Sequence, residues 1–168
     1  MNIVFRTEDG LQDAADCLLP ALRADGLYRD IVVVDTDIRD WRTCLDGLHR
    51  AGFEVSLSRP FHVCPPWHLA EIFNHVKDKG PVQARVALGQ GITAGCDFDA
   101  PDEIEIYIDP FELTNSENVL RVLELITTMG RSVGKEVCLC QDGGRAPSDV
   151  IASCDWKAER LTVRRGKT

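Results

Sequence analysis

The stretch FHVCPPWH, residues 61–68, brings two histidines and a cysteine together within eight positions. Cys64 precedes a proline pair that fits the first turn of a helix, so its sulfur would lie near the positive end of the helix dipole. A thiol in that position has a lowered pKa, and His62 or His68 could act as its base. Cys64, His68 and His62 are therefore the candidate catalytic residues of a Cys-His thiol site.

Two other interpretations of this stretch remain open. A zinc site would draw its ligands from an extended segment and from one face of the following helix: His62, Cys64, His68, Glu71 and His75. Their spacing follows neither of the compact patterns, CxxC and HExxH, that identify metal sites in a sequence. We favour a structural role, in which the prolines and Trp67 set the entry of a helix.

Acidic residues also follow two apolar strands. Asp35 and Asp37 end IVVVDTD, and Asp142 follows VCLCQ. This pattern resembles the first and last acidic motifs of the haloacid dehalogenase-like hydrolases, although Arg39 departs from the first motif. The resemblance implies a magnesium-dependent phosphohydrolase, with Asp35 as nucleophile, Asp37 as acid/base, and Asp142 with Asp149 as metal ligands. Alternatively, these residues cap helices and form turns.

The segment DFDAPDEIEIYID, residues 97–109, concentrates negative charge on a strand. Its strict alternation predicts a buried face of isoleucines and an outward face formed by Glu103, Glu105, Tyr107 and Asp109. Such a surface could bind a basic protein partner. A charged strand also protects a sheet edge from aggregation, and we favour this explanation of the charges over a partner.

Two shorter motifs favour structural roles. Cys138 and Cys140 of CLC should share one face of a strand, either as buried thiols or as ligands of a metal held with distant residues. The glycines of GQG, residues 89–91, precede no helix that could cradle a phosphate, so we expect them to turn one strand into the next.

The elements that position these residues follow from periodicity. Residues 1–60 show βαβαβ order, with IVVV as a central strand covered on both sides. Residues 61–168 predict antiparallel strands, one long helix and a C-terminal hairpin. We expect an α+β fold with four main helices and about nine strands, in a single compact domain (residues 1–168) whose pattern changes near residue 60.

Composition limits the partners. The 27 acidic and 19 basic residues give a formal charge of −8, which disfavours nucleic acid and anionic membranes as partners. No apolar run approaches the ~20 residues of a membrane span, and the N-terminus lacks the pattern of a secretory signal. We expect a cytoplasmic protein whose seven cysteines are mostly buried thiols, with no cofactor.

These observations lead to two hypotheses of different class. The first is a non-enzymatic protein-binding module, comparable to immunity or antitoxin proteins in charge alone, which uses the acidic face around residues 97–109. The second is an enzyme, centred either on Cys64 with His68 or on Asp35, Asp37 and Asp142. The sequence leaves the oligomeric state and the identity of a partner or substrate open.

Overall fold

Nine strands form one antiparallel sheet in the computed structural model, which describes residues 2–6, 9–22, 25–58, 60–61 and 67–164. The strands are β1 (Asn2–Arg6), β2 (Arg29–Val34), β3 (Glu54–Leu57), β4 (Gln83–Gly89), β5 (Ile92–Asp97), β6 (Glu103–Ile108), β7 (Val137–Gln141), β8 (Val150–Asp155) and β9 (Arg160–Arg164). The helices are α1 (Leu11–Leu18), α2 (Ile38–Arg50), α3 (Leu69–Lys79) and α4 (Ser116–Val133). The predicted α+β class is confirmed.

The strand order is β1-β9-β8-β7-β2-β6-β5-β4-β3. The first three strands therefore do not pair with one another: β1 and β3 form the two edges, and β2 lies at the centre between β7 and β6. The predicted C-terminal hairpin is the β8–β9 pair. The glycines of the GQG segment turn β4 into β5, with positive φ angles at all three residues, as expected.

Central strand β2 shows how the two faces of the sheet differ. Ile31 and Val33 point into the apolar core that the four helices share with the strands. On the opposite face Val32 is buried, whereas Val34 is 52% exposed. The central position predicted for IVVV is confirmed, but the expected cover on both sides is incomplete.

We call the sheet face against which none of the described helices packs the open face. Its residues follow from the strand registers, which place two rows of side chains across the sheet. One row is Val4, Thr162, Ser153, Cys138, Val32 and Glu105, and the next is Cys140, Asp30, Tyr107, Gly95, Arg85 and Ser56. Glu103 lies beyond Glu105 on the same strand.

Two helix ends differ from the sequence prediction. The apolar periodicity that begins at Leu11 predicts a helix to about Ala24, a residue outside the described ones, but α1 ends at Leu18 and a 3-10 turn, Leu19–Leu22, follows. Pro20 accounts for this, because it lacks the N–H that an α-helix needs. Helix α4 has the expected length, but its N-cap is Asn115, whose side chain accepts from Asn118 N–H at 2.9 Å. The spacing of Thr114 and Glu117 in TNSE predicts a capping box with Thr114 as the N-cap, so that prediction was wrong by one residue.

No helix in the described part of the chain is long and apolar enough to cross a bilayer.

Candidate functional site

Strand β6 places the acidic residues in the interior of the sheet. Glu103, Glu105 and Tyr107 lie on the open face, and the intervening isoleucines are buried, as the alternation predicted. Because β6 pairs with β2 on one side and β5 on the other, it is not an edge strand. The interpretation of β6 as an edge strand is therefore wrong, although β5 pairs with it only at Ile106 and Tyr107.

Asp109, the fourth residue predicted on this face, lies beyond the end of β6. Its carboxylate accepts a hydrogen bond from Phe111 N–H at 2.9 Å and begins the 3-10 turn Pro110–Glu112. Its side chain thus has a local capping role, apart from the open-face carboxylates.

Arg145, which the sequence did not indicate, joins the carboxylates of the open face. It belongs to the loop between β7 and β8, and its Nη2 lies 2.8 Å from Glu103 Oε1. The same nitrogen contacts Glu105 Oε2, and Nη1 lies 3.8 Å from Asp30 Oδ2. Three carboxylates thus surround one guanidinium, which leaves an excess of negative charge within this cluster.

Asp30 is the second residue that sequence reasoning missed. It is 2% exposed, and its Oδ2 accepts a hydrogen bond from Gly143 N–H at 2.7 Å. Burial raises the pKa of this carboxyl, although the Gly143 bond acts in the opposite direction. An aspartate inside the apolar run RDIVVV was the available signal, since a buried carboxylate requires partners.

The other charges of the cluster are also perturbed. Burial raises the pKa of Glu105, against the opposing effect of Arg145. The hydrogen bond to Glu103 raises the pKa of Arg145, which therefore stays protonated. Since desolvation disfavours the ionised carboxyls, a further cation close to them would be favourable.

A small cavity adjoins the cluster. Its volume is about 100 Å³, and its lining includes Asp97 and Asp99 together with three β6 side chains: Glu103, Glu105 and Tyr107. Asp97 accepts a hydrogen bond from Gln83 Nε2 at 2.8 Å, which orients its carboxylate. Four carboxylates line this cavity, so its chemistry is suited to a positively charged group.

Tyr107 forms the aromatic part of this surface. It lies opposite Gly95 in the register, and a Cβ on Gly95 would lie 2.2 Å from the Tyr107 ring. The absence of a side chain at Gly95 therefore allows the ring to lie across β5. The Tyr28 ring meets it edge-on at 5.4 Å between centroids.

The candidate thiol site is only partly described. Cys64 and His62 lie outside the described residues, so their predicted pairing stays a prediction. His68 immediately precedes α3, with its side chain 58% exposed and its Nδ1 3.5 Å from Glu71 Oε1. His75 contacts the Phe61 ring edge-on, at 5.3 Å between centroids.

The residues of the phosphohydrolase hypothesis do not come together. Strands β2 and β7 are antiparallel, with Arg29 opposite Gln141. Asp142 therefore lies beside the start of β2, whereas Asp35 follows its end, about 20 Å away along the strand. Asp37 caps α2 by accepting from two backbone N–H groups. This hypothesis is wrong, because it required the two strand ends to meet.

Cys138 and Cys140 both lie on the open face, as their spacing predicted. Burial raises the pKa of both thiols, that of Cys138 to about 12, so neither is activated as a nucleophile. Among the residues that the structure describes, no group of three or more histidine, cysteine or carboxylate side chains could hold a metal ion.

Comparisons with protein-family models, with curated proteins and with solved structures found no match to this chain.

Proposed function

We propose that this protein is a non-enzymatic binding module whose open face receives a basic protein partner at β6. The observation that carries the proposal is the position of Glu103, Glu105 and Asp30 on central strands, on a sheet face that none of the described helices covers. Asp30 is buried and Glu103 and Glu105 are partly buried, and removing acidic groups from water in this way costs free energy. A cationic partner would offset that cost.

The size of the open face supports a protein partner. Nine strands of four to seven residues, spaced ~4.8 Å apart, present a surface on the order of 700 Å². A specific protein interface takes about 800 Å² from each partner. The acidic cluster would then lie inside the contact, where opposite charges give orientation and fast association.

The complementary chemistry is that of arginine-rich or lysine-rich surfaces. Glu103 already binds a guanidinium through both carboxylate oxygens, with Arg145 Nε at 3.3 Å and Nη2 at 2.8 Å. Tyr107 adds an aromatic ring next to these carboxylates, and such rings attract guanidinium and ammonium groups.

The test uses a hexa-arginine peptide as a defined basic probe. We expect the double variant Glu103→Gln, Glu105→Gln to bind it about fivefold more weakly than the unaltered protein at low ionic strength, and the difference to shrink in high salt. Fluorescence anisotropy of a labelled peptide measures the affinity of each protein at low and at high salt. Circular dichroism verifies that the variant is folded.

The matched control neutralises two acidic residues away from the cluster: Glu117→Gln in α4 and Glu159→Gln in the β8–β9 turn. Both positions are exposed. We expect this variant to bind almost as tightly as the unaltered protein. Equal weakening in both double variants would show that net charge alone attracts the peptide, and would contradict the proposal.

A further inference from the structure

The loop that carries Arg145 is held in place by bonds that do not involve the Arg145 side chain. Gln141 N–H donates to Asp149 O at 3.1 Å, and Gly144 N–H donates to Gln141 O at 2.8 Å. Asp149 Oδ2 accepts from Ala146 N–H at 3.0 Å, and the buried Asp30 accepts from Gly143. The backbone of the loop can therefore keep its shape when the Arg145 guanidinium moves.

The Arg145 side chain crosses from this loop to the carboxylates of β6. It is 38% exposed, so rotation into solvent meets little packing resistance. Its Nη1 also donates to Gly144 O at 3.1 Å, a local bond that does not depend on β6. Ion pairs of this exposure contribute little to stability, which makes the contact easy to exchange.

The carboxylate oxygens that Arg145 contacts are those that a partner would need. Both oxygens of Glu103 and Oε2 of Glu105 already face its guanidinium. A guanidinium arriving from a partner could not form the same bidentate contact while Arg145 remains there. A cation from a partner and Arg145 therefore compete for the same carboxylate oxygens of Glu103 and Glu105.

We propose that Arg145 is an internal competitor, which occupies the acidic face in the free protein and leaves it when a cationic partner binds. This inference rests on the proposed function and adds a means by which the protein sets the affinity of its acidic face for a cationic partner. Removal of the Arg145 guanidinium should expose Glu103 and Glu105 and strengthen binding of a cationic probe.

The test compares Arg145→Gln with Arg160→Gln, again with the hexa-arginine peptide. Both variants remove one positive charge, but Arg160 lies on β9, where it pairs with Asp155 at 3.9 Å. We expect Arg145→Gln to bind roughly threefold more tightly than Arg160→Gln. Arg145→Lys, which keeps the charge but loses the planar fork, should fall between the unaltered protein and Arg145→Gln.

Two results would overturn the inference. One is an increase in peptide affinity for Arg145→Gln that is no larger than the increase for Arg160→Gln, since the change in net charge alone would then explain the tighter binding. The other is weaker binding by Arg145→Gln in a variant that remains folded, since Arg145 would then position the carboxylates for the partner. Urea unfolding of both variants establishes that they are folded.

Failure of the inference can be distinguished from failure of the proposed function. The two substitutions Glu103→Gln and Glu105→Gln are introduced together into the unaltered protein and into the Arg145→Gln variant. If the peptide binds equally well with and without these carboxylates, the proposed site itself is contradicted. If binding requires them but Arg145→Gln gives no gain beyond the control, only the competition by Arg145 is contradicted.

Discussion

At the scale of single residues, Gly95 decides whether Tyr107 can lie across the open face. The two residues are directly opposed on β5 and β6, and any Cβ at position 95 would enter the space of the aromatic ring. The cross-strand pair of a glycine and an aromatic residue thus shapes the wall of the acidic cavity. Tyr28 then packs against the same ring.

We expect Gly95→Ala to lower the free energy of unfolding by about 1–3 kcal/mol, because the new methyl group overlaps the Tyr107 ring. Urea denaturation measures the loss. The double variant Gly95→Ala, Tyr107→Ala removes the overlap, so it should lose less than the sum of the two single variants. If the losses in free energy of unfolding of the two single variants are strictly additive, the Tyr107 ring moves aside without an energetic cost.

Asp30 predicts a pH dependence of stability. Burial raises the pKa of its carboxyl above 3.8 in the folded protein. Below that value both states are protonated and Asp30 has no effect. As the pH rises, the unfolded chain loses this proton first, so stability falls until the folded-state pKa is passed.

The comparison with Asp30→Asn isolates this contribution, since asparagine can still accept from Gly143 N–H. We expect the stability of the unaltered protein relative to the variant to decrease as the pH rises above about 4. Urea unfolding of both proteins over a pH series measures the difference. An increase with pH would mean that attraction to Arg145 outweighs burial.

At the scale of elements, helices α2 and α4 approach each other closely at Gly47. A Cβ on Gly47 would lie 1.8 Å from Ser132 Oγ and 2.7 Å from Ser132 Cβ. Ser132 Oγ donates to Thr128 O at 2.7 Å, which keeps the hydroxyl against its own helix. The interhelical distance here depends on the absence of a side chain at position 47.

We expect Gly47→Ala to destabilise the protein by about 1–3 kcal/mol, since the helices must separate or the Ser132 side chain must rotate. Thermal unfolding followed by circular dichroism detects the change. Adding Ser132→Gly should recover part of the loss despite the lower helix propensity of glycine. If Ser132→Gly restores none of the lost stability, the strain caused by Gly47→Ala lies elsewhere in the helix pair.

Individual elements were predictable where their signals are local. The apolar stripe and Gly134 predict a helix from about Ser116 to Val133, and α4 spans those residues, because both signals act over a few turns. Helix α1 ended early because Pro20 outweighed the apolar periodicity. The role of β6 was misjudged as an edge because strand order depends on distant partners.

At the scale of the whole molecule, the core controls access to the thiols. Cys44 and Cys96 are buried, and burial raises the pKa of Cys44 to about 12. A thiol reagent needs the thiolate, so these two cysteines should react only when the core opens. The hypothesis that Cys64 is reactive concerns a residue outside the described part of the chain and stays a prediction.

We expect maleimide labelling of the native protein, resolved by mass spectrometry, to modify Cys44 and Cys96 far more slowly than free cysteine. Their labelling rates should rise with urea in parallel with unfolding. Fast native labelling of either residue would contradict the closed core. In the same experiment, Cys64 reacting no faster than free cysteine would remove the Cys-His thiol hypothesis.

The sequence by itself determined the elements and their faces: the alternation of β6, the stripe of α4 and the turn of the GQG segment all depend on neighbours a few residues apart. Only the tertiary structure decided which strands pair and which side chains those faces contact. The antiparallel pairing of β2 with β7 separated Asp35 from Asp142, and it brought Asp30 beneath the loop of Arg145. Pairing and register arise from contacts between distant segments, which local periodicity does not encode.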